Sequence, residues 1–93
     1  MDLARDIQEL ISSVERSGHN VVVKTPNWYA KIVAEKIMGS ELAASIAMSV
    51  PGKNTILLVS GNQQDAKHVE KVISEIRKDY INQRRKAYGI PAR

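Results

Sequence analysis

The apolar positions change their spacing along the chain, and the changes mark its elements. Leu3, Ile7, Leu10, Ile11 and Val14 recur at helical intervals, predicting a helix over Asp2–Arg16 that Asp2 caps and Gly18 ends. Val21-Val22-Val23, inside Asn20–Lys24, is a β-branched run suited to a strand. Thr25-Pro26 then predicts a helix start, with Tyr29, Ile32, Val33 and Ile37 on one face. Gly39-Ser40 breaks that helix, and Leu42, Ala43, Ile46, Ala47 and Val50 carry a second piece over Glu41–Val50. Pro51-Gly52-Lys53-Asn54 is a turn. Thr55–Val59 is a short apolar strand, expected to be buried on both faces. After Ser60-Gly61-Asn62, where Ser60 or Asn62 can cap, Ala66, Val69, Val72, Ile73, Ile76 and Tyr80 form the core stripe of a last helix. Its helical propensity runs on through Ala87, until Gly89 and Pro91 end it.

The resulting order is α-β-α(broken)-β-α, a small α/β domain. Two strands joined by some thirty helix-containing residues predict a right-handed parallel βαβ unit. Two strands make a poor sheet alone, so the unpaired edge of Val21–Val23 or Thr55–Val59 predicts extension by oligomerisation. Residues 1–81 are read as the domain and 82–93 as a basic helix end and tail.

Composition narrows the function classes. The 93-residue chain has no cysteine, which removes disulfides and thiolate metal sites, and no apolar stretch approaches a membrane span. The first residues lack the pattern of a secretion signal, so the chain is expected in the cytoplasm. The net charge of +4 is unevenly placed: residues 1–76 hold eight Lys/Arg against nine Asp/Glu, whereas 77–93 hold six Lys/Arg against Asp79 alone. An anionic partner is implied, nucleic acid first and an acidic protein or membrane surface second.

No enzyme template is met: the chain offers neither a nucleophile motif nor a histidine pair at ligand spacing, and no metal or cofactor is expected. Gly52-Lys53 precedes a strand and not a helix, so it is no phosphate loop. Trp28, beside Tyr29, Lys24 and Lys31, fits a core or interface residue in a first helical turn.

Two surfaces carry binding chemistry. On the last helix, at about 100° per residue, Lys67, Lys71, Lys78 and Arg85 lie within about 40° of one another, opposite the core stripe. Arg84, Lys86 and Tyr88 extend this face. It suits phosphate contacts with weak sequence preference, though a charged outer face and cations near a helix C-terminus are also ordinary. At the strand ends, Lys24, Thr25 and Asn27 would face Ser60, Gly61 and Asn62 across a crevice fit for an anionic metabolite, if the strands are parallel neighbours. Thr25, Ser60 and Asn62 serve equally well as plain caps. The leading expectation is a non-enzymatic, oligomeric nucleic-acid-binding protein. The alternatives are an assembly or adaptor protein, with Ala43, Ala44 and Ala47 in a dry interface, and a metabolite-binding regulatory domain.

The strand, helix, strand, helix order from Asn20 to Tyr80, with the Ser60–Lys71 turn into a lysine-bearing helix, resembles in layout the small archaeal chromatin protein Alba. An additional N-terminal helix precedes it here, and the two later strands with their DNA-embracing hairpin are absent. Such likeness of layout carries no function by itself.

Overall fold

The computed structural model describes residues 3–87. Helix α1 (Leu3–Ile7) and a 3-10 turn (Gln8–Leu10) lead into strands β1 (Ser13–Ser17) and β2 (Asn20–Lys24). Helix α2 (Ala30–Met38), a second 3-10 turn (Glu41–Ser45), β3 (Met48–Pro51), β4 (Thr55–Val59) and α3 (Gln63–Ala87) follow. The strands form one sheet in the order β1-β2-β4-β3, and every neighbouring pair is antiparallel.

The mixed α/β character holds, but the parallel βαβ unit does not. β2 and β4 pair antiparallel, Val21 opposite Leu58 and Val23 opposite Ile56. Two strands that helical spacing concealed account for the change. Ser13–Ser17 turns back on β2 through Gly18-His19, Gly18 at φ +59, so the helix expected to reach Arg16 ends at Ile7. Such a two-residue hairpin needs positive φ, which glycine supplies without strain. Met48–Pro51 likewise replaces the end of the helix expected over Glu41–Val50. The turn at 52–54 folds β3 onto β4, with the Gly52 N–H donating to the Thr55 carbonyl at 2.7 Å. That reversal sets the direction of β4. With four strands in place the Alba-like layout lapses, and the sheet edges are β1 and β3, while the two strands read from sequence lie inside.

Pairing partners share a side of the sheet, so burial identifies the packed face. Val21, Val23, Ile56 and Leu58 are fully buried, in one core with Ile7, Ile37, Val69 and Ile73 from the helices. Each such side chain contributes about 2 kcal/mol by leaving water. The opposite face holds Val22, Leu57, Val59, Val50 and Met48, none of them buried. β4 is therefore covered on one face, not two.

α2 begins at Ala30, not at Pro26, and turns Ala30, Val33, Ala34 and Ile37 inward while Tyr29 and Ile32 stay exposed. The two small alanines let the helix lie close to the sheet. The helix ends at Gly39-Ser40 as expected, with Gly39 at its C-cap, and Ser40 caps the following 3-10 turn, its Oγ accepting from the Leu42 N–H. α3 buries Ala66, Val69, Ile73 and Ile76. Its 25 residues span about 37 Å, most of the 42 Å long axis of the molecule. Arg16, on β1, forms an ion pair with Glu70 of α3 at 3.5 Å.

Candidate functional site

The antiparallel sheet separates the two halves of the expected crevice. Lys24 pairs with Thr55, and the Thr25 N–H donates to the Asn54 carbonyl at 2.9 Å. At the other end of the same strands, the Ser60 N–H donates to the His19 carbonyl at 2.9 Å. The five residues of β2, a span of roughly 20 Å from His19 to Thr25, lie between them. Thr25 and Ser60 are both buried and bonded within the fold, Thr25 Oγ1 donating to the Pro26 carbonyl and Ser60 Oγ to the Ser45 carbonyl. Asn62 is the cap of α3, its Oδ1 accepting from the Asp65 N–H at 2.8 Å. Gly61 is exposed beside it. Lys24, Thr25 and Asn27 thus keep company with the β3–β4 turn, and Ser60, Gly61 and Asn62 do not.

Around that turn the structure assembles a group that spacing alone did not reveal. Trp28 is no helical residue. It stands before α2 at φ +73, 74% exposed, with its N–H donating to the Lys53 carbonyl at 2.9 Å. The Lys53 ammonium lies 4.8 Å from the centroid of the indole, a cation–π contact. The Pro-Gly turn was legible in the sequence, but its pairing with the segment after β2 required the hairpin that follows an unrecognised strand.

The uncovered sheet face is the second surface. Met48 and Val50, on edge strand β3, are 54% and 47% exposed, and pairing sets them beside Val59 and Leu57. Tyr29, just before α2, and Ile32 and Met38 on it are exposed too, on a helix that packs against the other face of the sheet. Ala44 and Ala47 are exposed and Ala43 half-buried, in a 3-10 turn and the link after it instead of a helical stripe.

On α3, Lys67, Lys71 and Lys78 are exposed, as the helical phase requires. Arg84 lies with its guanidinium 5.7 Å from the Tyr80 ring centroid and donates from Nη1 to the Tyr80 hydroxyl at 3.4 Å. Arg85 and Lys86 lie on the helix, their side chains outside the described portion, and Tyr88 lies beyond the described residues. A cavity of about 530 Å³ opens between α1, the Gly39–Leu42 segment and α3, with apolar walls of Leu3, Leu42, Val72 and Ile76 and with Glu41 and His68 beside them. Among the described residues no three His, Cys, Asp or Glu side chains converge as a metal site would need.

Residues 7–75 match the family model described as "Arginine repressor, C-terminal domain". No curated protein matches the chain.

Proposed function

Since the chain belongs to the arginine repressor C-terminal domain family, we propose that it is a non-enzymatic regulatory module that assembles with copies of itself through its uncovered sheet face. The family is regulatory, and its C-terminal domain serves oligomerisation and binding of a small molecule, arginine by its description. Arginine repressors are cytoplasmic regulators, and no helix among the described residues is long and apolar enough to cross a membrane.

The observation that carries this reading is the row Val22, Leu57 and Val50 with Val59 and Met48 beside it, an apolar sheet surface that no helix among the described residues covers. A contiguous apolar face of this kind is costly in water, and its burial against another copy is the ordinary remedy. Stable interfaces bury about 800 Å² on each partner, an area within reach of a four-stranded face. The test is sedimentation across a dilution series for the parent chain and for Met48→Lys with Val50→Lys. The parent sediments as an oligomer and the double variant as a folded monomer. A monomeric parent at every concentration contradicts the reading.

A second component concerns nucleic acid. The family match ends at residue 75, yet α3 continues to Ala87 and carries Arg77, Lys78, Arg84, Arg85 and Lys86 on that continuation. We place a sequence-tolerant phosphate contact there, continuous with Lys67 and Lys71. In an oligomer several such helices would act on one polyanion, which raises avidity without new contacts.

A further inference from the structure

The β3–β4 turn brings charge and aromatic surface together at some cost. Trp28 is the sole tryptophan of the chain, and at φ +73 its L side chain stands on strained backbone. Glycine or asparagine would take the same backbone with less strain. The indole contributes nothing to the core, since it is 74% exposed. What the arrangement does achieve is to hold a flat aromatic surface in solvent with the Lys53 ammonium against it.

The sign of the surrounding charge decides what can sit there. No Asp or Glu occurs between Glu15 and Glu35, or between Glu41 and Asp65. Those two intervals contain all of β2, β3 and β4, the turn, and the segment from Thr25 to the first turn of α2. Of the cations within them, Lys24, Lys31 and Lys53 are exposed, whereas Arg16 on β1 is half-buried and paired with Glu70. Free arginine carries a guanidinium and an ammonium, which each seek a carboxylate, against one carboxylate of its own, so its net charge is positive. At this turn Lys53, with Lys24 and Lys31 on either side of Trp28 in the chain, opposes its net positive charge.

Resting on the ligand-binding reading above, we infer that the Trp28–Lys53 turn binds a small anion bearing a flat ring, and not arginine. The ring stacks on the indole face that Lys53 leaves open, and the acidic group pairs with the ammonium. Lys24 and Lys31 add a longer-range attraction that salt screens.

The position of Trp28 makes the test direct, because every change in tryptophan emission of the full chain comes from this residue. Adenosine 5′-monophosphate and benzoate are titrated separately, with excitation beyond the absorption of both, and L-arginine is titrated in parallel. At least one anion quenches the emission saturably, and Lys53→Glu raises its dissociation constant at least tenfold with unchanged circular dichroism. Arginine leaves the emission unchanged up to the same concentration. Saturable binding of arginine, or failure of both anions, overturns the inference. So does quenching that Lys53→Glu leaves intact. Emission that shifts to the blue with protein concentration alone would place Trp28 between copies, ending the ligand site while leaving self-assembly standing. A monomer that still shows Lys53-dependent quenching would do the reverse.

Discussion

Ser60 Oγ donates a 2.7 Å hydrogen bond to the Ser45 carbonyl, joining the end of β4 to the segment that enters β3. Ser60 is only 3% exposed, so water cannot replace the bond freely. Ser60→Ala therefore lowers stability by about 1 kcal/mol. In a urea titration the midpoint falls while the slope is unchanged. Anion quenching at Trp28 should be unaffected, since Ser60 lies at the opposite end of the sheet. Loss of that quenching in a folded Ser60→Ala protein would tie the two strand ends together after all.

The residues that misled sequence reading did so for physical reasons. Leu3, Ile7, Leu10, Ile11 and Val14 all touch the same core, which is what a helical stripe should do. They reach it from a short helix, a 3-10 turn and a strand in succession. Over so few residues the periods of 3.6 and 2 overlap, and only the Gly18 turn separates them. β3 was hidden differently: Met48 and Val50 alternate as a strand should, but they face outward from the core formed by the described residues. β2, β4 and the start of α3 were legible because their apolar residues are buried within one chain. The expected crevice depended on a parallel pair: Lys24 and Thr25 lie at the β3–β4 turn and Ser60 at the other end of the sheet, because the unrecognised β3 hairpin reversed β4.

Two residues at positive φ should respond differently to substitution. Gly18 at φ +59 sits in the β1–β2 turn with no atom near an added Cβ. Gly18→Ala thus costs about 1 kcal/mol or more from backbone strain alone, not from a clash. Trp28→Gly removes comparable strain but loses an exposed cation–π contact and gains unfolded-state entropy, each about 0.5–1 kcal/mol. The terms nearly cancel, so its melting temperature stays close to the parent's. A large drop for Trp28→Gly would mean that the indole supports the fold.

Asn62 is the cap that the sequence left undecided with Ser60. Its Oδ1 accepts from the Asp65 N–H, and its Nδ2 donates to Asp65 Oδ2 at 3.2 Å. Asn62→Ala should cost about 1 kcal/mol, and Asn62→Ser should recover most of it, because a hydroxyl also accepts from that amide. Equal destabilisation by both substitutions would show that the side-chain amide contact to Asp65, not the cap, matters there.

The outer face of α3 decides whether this module touches nucleic acid by itself. Lys67, Lys71 and Lys78 are exposed and lie opposite Val69, Ile73 and Ile76, so reversing all three to Glu leaves the core untouched. Surface changes of this kind usually shift stability by less than about 0.5 kcal/mol each. Lys67 and Lys71 also repel one another four residues apart, so their replacement removes a small penalty. If the face follows phosphates, the parent protein binds duplex DNA at low salt. With about four to six phosphates neutralised, log K falls against log salt with a slope of about −4 to −5. The triple variant, which loses three cations and gains three anions, should show no binding under the same conditions and an unchanged circular dichroism spectrum. Unfolding would mean that the face is buried in the assembled protein. Intact affinity in a folded variant would make the stripe an ordinary solvated surface and leave oligomerisation and ligand binding as the module's whole role.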